Sequence, residues 1–204
     1  MSLATRLLNA NPGVQVSDAL TGSLTTPSAK QAFIFPTSFE SIATLTPTSG
    51  STAEFTSIPA TYRSLHIRLK FMTASTIHPS ITLRFNNNSS TFYSNRALGG
   101  NGSTVDAVSY NAVNRYACGD YSGSVVSLSQ NVGTLDIINY ASTTHQKTIR
   151  SVWGQNQNTS DIYNYIQIGT GLWTATDAIN SIQFTVSGGE QFATGTSIAL
   201  YGVK

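Results

Sequence analysis

Tyr62-Arg-Ser-Leu-His-Ile-Arg-Leu-Lys-Phe-Met72 alternates along its length. Leu65, Ile67, Leu69 and Phe71 fall on one side of an extended chain; His66, Arg68, Lys70 and Met72 fall on the other. Successive strand side chains point to opposite faces, so this is the pattern of a strand with one buried face. Ile81, Leu83 and Phe85 repeat it, with Thr82, Arg84 and Asn86 opposite. Between the two, Thr73–Ser80 holds Pro79 and several small residues, as a connection requires.

Working outward, further strands are predicted over Phe39–Leu45, Ala53–Ser57, Ser124–Ser129, Thr134–Tyr140, Lys147–Trp153, Ile162–Ile168, Ser181–Ser187 and Thr196–Val203. Gly, Asn, Ser or Pro stand between most of them, the residues of turns. Phe85–Tyr121 is long, polar and rich in Asn and Gly. It reads as large loops, with a short strand around Thr91–Ser94. Gly99-Gly100-Asn101-Gly102 reads as a flexible loop tip. Thr174–Ile179 offers one helical turn, capped by Thr174 or Thr176. β-branched and aromatic residues dominate elsewhere and favour strands. About ten short strands at near-regular spacing predict an all-β protein, an antiparallel β-sandwich of jelly-roll-like form, with an up-and-down barrel as the alternative. No repeat of solenoid or propeller period occurs.

Residues 1–35 differ. Leu3, Leu7 and Leu8 form at most a weak helical turn, and Asn11-Pro12-Gly13 and Thr25-Thr26-Pro27-Ser28 interrupt any period. This stretch reads as an extended N-terminal arm, or as a disordered leader. In the arm reading Leu3, Leu7, Leu8, Phe33 and Phe35 are its anchoring contacts, and 36–204 form a single sandwich domain.

Composition narrows the function. Only 10% of the 204 residues are charged, with 11 Lys+Arg against 9 Asp+Glu. Soluble domains average about 25%, so Ser, Thr, Asn and Gly must cover this surface. The near-neutral balance argues against nucleic acid as a partner. No apolar run is long enough for membrane insertion, and the first residues hold too short an apolar stretch for a signal peptide. A single cysteine, Cys118, excludes an intrachain disulfide framework and a cysteine-cluster metal site.

Catalytic patterns are missing. No Gly-x-Ser-x-Gly elbow occurs; Gly119-Asp120-Tyr121-Ser122-Gly123 lacks the spacing. His66 falls on the outer face of a strand, His78 sits beside Pro79 in a loop, and His145 follows Asp136 among threonines. His145 is the one to inspect for a proton or metal role, yet no second histidine lies at ligand spacing. The nine acids are scattered, and nothing selects a glycosidase pair. The reading is a non-enzyme with no cofactor and no metal.

Two clusters suit recognition instead. Arg68, Lys70 and Arg84 would share one face as a basic contact stripe if their strands pair. Phe92, Tyr93, Tyr110, Tyr116 and Tyr121 lie in the polar region, where aromatic rings bury much area at low entropy cost. Subunit packing is the favoured use of these rings, and sugar binding the other. Trp153 and Trp173 adjoin apolar strand positions and read as core.

Several segments resemble, in order, a family of tailed-bacteriophage virion proteins. Phe55-Thr-Ser-Ile-Pro-Ala-Thr-Tyr-Arg-Ser-Leu-His-Ile-Arg-Leu69 resembles their Ile-Pro-x-x-Tyr turn entering a strand of alternating Leu/Ile. Ile81-Thr-Leu-Arg-Phe-Asn-Asn87 is similar to the next strand. Leu135-Asp-Ile-Ile-Asn-Tyr-Ala-Ser-Thr-Thr-His-Gln-Lys-Thr148 is similar to their Ile-x-x-Tyr-Ala strand and turn. Gly171-Leu-Trp173 with Ala178-Ile-Asn-Ser-Ile182, and the final Gly195-Thr-Ser-Ile-Ala-Leu-Tyr-Gly-Val203, complete the likeness over about 39–203. The resemblance implies a β-sandwich of phage particles, found in capsid decoration and in tail or fibre proteins. It carries no catalytic residues. It implies assembly with other copies, with a homotrimer as the expected repeat, and with the major capsid protein or other virion proteins, within a virion assembled in the bacterial cytoplasm. A tail or fibre module contacting host-surface glycan is the alternative.

Overall fold

The computed structural model describes residues 38–73, 79–119, 131–155 and 164–204. The arm residues Leu3, Leu7, Leu8, Phe33 and Phe35, the predicted strand Ser124–Ser129, His78 and Tyr121 lie outside the described residues. The sandwich unit runs from Ser38 to Lys204.

Among the described residues twelve strands follow in chain order: β1 Phe39–Leu45, β2 Thr52–Phe55, β3 Ser64–Phe71, β4 Ile81–Phe85, β5 Tyr93–Gly100, β6 Val105–Val113, β7 Tyr116–Gly119, β8 Asn131–Ile138, β9 Lys147–Gln155, β10 Tyr165–Trp173, β11 Ile182–Val186 and β12 Ser197–Val203. They form two antiparallel sheets, an eight-stranded one in the order β1-β12-β3-β8-β9-β10-β5-β6 and a four-stranded one in the order β2-β11-β4-β7. The fold is an all-β sandwich, as the alternation predicts. The described residues contain no helix, and so none long and apolar enough to cross a membrane.

The core lies between the sheets. Leu65, Ile67, Leu69 and Phe71 of β3 are buried, as their period requires. From the facing sheet come Ile81, Leu83 and Phe85 of β4 and Ile182, Phe184 and Val186 of β11, all buried. Trp153 and Trp173 are buried too, and the edge of one aromatic ring meets the next where Phe85 meets Trp173 at 5.4 Å.

Two expectations change. Phe85–Tyr121 contains β5, β6 and β7 rather than large loops. The glycines there serve packing: a Cβ on Gly99 would lie 2.4 Å from the ring of Tyr165, so β5 must be bare where β10 lays an aromatic ring across it. The loop-tip reading survives only at the β5–β6 turn, where Asn101 Oδ1 accepts the N–H groups of Ser103 and Thr104 at 3.0 and 2.8 Å. The helical turn at Thr174–Ile179 is absent. Its backbone donors go to residues distant in sequence instead, Thr174 N to Phe92 O and Ile179 N to Tyr140 O.

Lys147, the first residue of β9, is fully buried. Its Nζ donates to the carbonyls of Ser142, His145 and Thr176 at 2.7, 3.0 and 2.6 Å. It thereby pins two connections to the end of the large sheet.

Candidate functional site

The outer face of the eight-stranded sheet is the chemically unusual surface. Strand register fixes which side chains share each row across it. One row runs Val132, Gly154, Ile166, Gly100, Val105 across β8, β9, β10, β5 and β6. The next runs Thr134, Val152, Ile168, Leu98, Ala107. Across these five strands neither row carries a charge; on β3 the rows continue to Lys70 and Arg68. Large hydrophobic residues are exposed at ten described positions, and eight lie on this face: Phe39, Leu98, Val105, Val132, Ile138, Val152, Ile166 and Ile168. Exposed apolar residues are ordinary when scattered; gathered on one face they mark an interaction surface.

β10 shows the inversion most clearly. Its inward positions are Tyr165, Gln167, Gly169, Gly171 and Trp173, while Ile166 and Ile168 point outward at 60% and 58% exposure. The glycines sit where an aromatic ring from the core needs room; a Cβ on Gly171 would lie 2.3 Å from Tyr116. The aliphatic side chains are therefore spent on the outer surface.

A polar row borders this patch: His66, Asp136, Arg150, Thr170, Arg96 and Ser109 stand side by side on β3, β8, β9, β10, β5 and β6. His66 Nδ1 donates to Asp136 Oδ1 at 2.7 Å, and Arg150 donates to Oδ2 at 2.6 Å. Burial alone would raise the Asp136 pKa, but the hydrogen bonds from His66 and Arg150 outweigh it and hold the carboxyl below its ordinary value. Arg96 is held by the carbonyls of Asn95 and Tyr110 and by Asn111 Oδ1. With both oxygens of Asp136 engaged, this row orients side chains. A trough of about 950 Å³ follows the row and takes lining residues from all eight strands, among them Phe39, Val203, Ser64, Ile138, Thr170 and Leu98. Among the described residues no group of three His, Cys, Asp or Glu side chains could hold a metal ion.

The expected recognition clusters are rearranged. Arg68 and Lys70 lie on β3 in the large sheet, and Arg84 lies on β4 in the small one. β3 pairs with β12 and β8, and β4 with β11 and β7, so the three cations share no stripe. Arg68 instead lies over the Tyr201 ring at 5.4 Å, and Arg84 Nε donates to Asn114 O at 3.1 Å. Tyr93 and Tyr116 are core residues, each 1% exposed. Tyr93 OH accepts the Phe85 N–H at 2.7 Å, and burial pushes its phenol up to about 12. Tyr116 OH pairs with Ser151 Oγ at 2.9 Å. Phe92 and Tyr110 are half-exposed. His145 Nδ1 meets Thr144 Oγ1 at 3.0 Å and Ser142 Oγ at 3.2 Å, and it is His66 that meets Asp136.

The patch residues Leu98, Val105, Val132, Val152, Ile166 and Ile168 were not singled out by sequence reasoning. The available signal was Ile166 and Ile168 on one face of β10 while Gln167, Gly169 and Gly171 occupy the other. No family model and no curated protein sequence matches the chain.

Proposed function

We propose that this protein is a non-enzymatic structural component of a tailed-bacteriophage virion, decorating or cementing the capsid through protein–protein contacts. The observation that carries the proposal is the patch of exposed aliphatic side chains on the outer face of the large sheet. Such a face gains by being covered, at roughly 25 cal/mol per Å² of apolar surface removed from water. A rigid twelve-strand sandwich holds it in one shape before any partner arrives, which limits the ordering cost of docking. The resemblance of 39–203 to virion proteins supplies the kind of particle.

The test is co-sedimentation with virions depleted of the protein. The wild-type chain pellets with them. Leu98→Asp/Ile168→Asp, which charges the centre of the face, stays in the supernatant while retaining its β-sheet circular dichroism. Undiminished pelleting of that variant overturns the assignment of the face. The rival reading, a tail or fibre module, rests on the trough, whose floor offers Arg96 and Arg150 to a saccharide. Binding to host-cell glycan, with no binding to depleted capsids, would select it.

A further inference from the structure

We infer that the polar row on the outer face of the large sheet takes a carboxylate of the partner protein, an Asp or Glu side chain, against Arg96. The inference rests on the reading of that face as an assembly surface and names the chemistry of the segment that meets it.

The charge on this face is one-sided. Strand register places Arg68 and Lys70 of β3, Arg150 of β9 and Arg96 of β5 outward, and among the described strand residues of the face Asp136 is the one carboxylate. The whole chain is nearly balanced, with 11 Lys+Arg against 9 Asp+Glu, so the excess is local. Asp136 has no oxygen to spare, since His66 holds one and Arg150 the other. Arg68 lies over the Tyr201 ring. Arg96 keeps its charge uncompensated. Its acceptors are the carbonyls of Asn95 and Tyr110 and the side-chain amide of Asn111, all neutral. Among the described residues no carboxylate pairs with it.

Those three acceptors also fix the guanidinium in place. An arginine held in advance loses little side-chain freedom when an anion arrives, and its planar fork matches a carboxylate. Arg96 lines the trough together with Leu98 and Ile168, which are 58% exposed each, so a cation and aliphatic side chains stand side by side. Protein interfaces combine apolar contact with arginine anchors in this way. A polypeptide meets both demands, with an aliphatic side chain beside an Asp or Glu. A saccharide would need an exposed ring to stack on. The one aromatic ring lining the trough, Phe39, lies on β1, far from Arg96, with its edge set against His66 at 5.4 Å. The backbone of the inner strands is engaged in ladders, so side chains and not an added strand must do the recognising on this face.

The experiment is binding of the full chain to the depleted virions over a range of concentrations, with thermal unfolding alongside. Ser109 stands opposite Arg96 across β5 and β6 and is exposed. Ser109→Glu therefore sets a carboxylate of the same chain against Arg96. Opposite charges across a strand pair support a sheet, so this variant unfolds no earlier than wild type. It binds particles at least about tenfold more weakly, because the cation is already occupied. Ser109→Gln, of the same size without the charge, binds like wild type. Arg96→Lys keeps the charge, and a carbodiimide then joins its amine to an Asp or Glu of another virion protein. Equal binding by Ser109→Glu and Ser109→Gln overturns the inference, and so does an Arg96→Lys chain that cross-links to no other protein. If Leu98→Asp/Ile168→Asp fails to pellet while Ser109→Glu pellets like wild type, the assembly reading stands and the carboxylate contact falls. A wild type that does not pellet overturns both. Wild-type binding to an acidic saccharide, blocked by Ser109→Glu and with none to particles, would overturn the protein partner and give the trough to glycan.

Discussion

Replacing Lys147 by methionine tests how the connections at one end of the sheet are held. The ammonium uses its three N–H donors on the carbonyls of Ser142, His145 and Thr176. It also lies 5.4 Å from the Trp173 ring centre. Methionine preserves the apolar stem and removes the donors. Each of these part-buried hydrogen bonds to a charged donor is worth about 1.5–3 kcal/mol, and the avoided desolvation of the ammonium returns part of that. A net loss of about 3–4 kcal/mol follows, a drop of roughly 6–16 °C in Tm for a domain of this size. Urea unfolding followed by tryptophan fluorescence reads it directly, since Trp173 adjoins the site. A loss below about 1 kcal/mol would refute the reasoning, because the carbonyls would then be satisfied without Lys147.

Two further variants probe packing and charge. Gly133→Ala places a Cβ 2.2 Å from Trp153 Cε3, so overpacking should lower stability by about 1–3 kcal/mol in the same unfolding assay; a neutral result would mean that the Trp153 ring moves freely. Asp136 is held below its ordinary pKa in the fold, so its ionised form stabilises the protein. That contribution is complete above the unfolded value of about 3.9 and is lost as pH falls through the lower folded value. Asp136→Asn should therefore flatten the loss of Tm below about pH 4, and an unchanged acid profile would contradict the network.

The strand pattern was legible because burial on one face imposes period two on the residues. β1 has the predicted bounds, Phe39–Leu45, and β3 buries the predicted four side chains. β5 and β6 were hidden because their residues answer to other demands. Gly99 must be bare beneath Tyr165, and β6 is largely exposed along both faces. Local sequence holds no signal for which sheet a strand joins. That is why Arg84 was grouped with Arg68 and Lys70, and why Tyr93 and Tyr116 were taken for surface rings when their hydroxyls bond inside the core. The exposed apolar face was missed for a related reason: alternating aliphatic residues read the same whether they point into a core or out of it. Only the position of the second sheet tells Ile166 and Ile168 from Ile67 and Leu69.

The central claim, that this chain is a repeated subunit of a particle shell, is tested most directly by counting it. Quantitative mass spectrometry of purified virions gives the number of copies relative to the major capsid protein. The account predicts copies in the hundreds, in fixed proportion to that protein. A few to a few dozen per particle would place the chain on the tail or fibre, and its absence from the particle would contradict the account altogether.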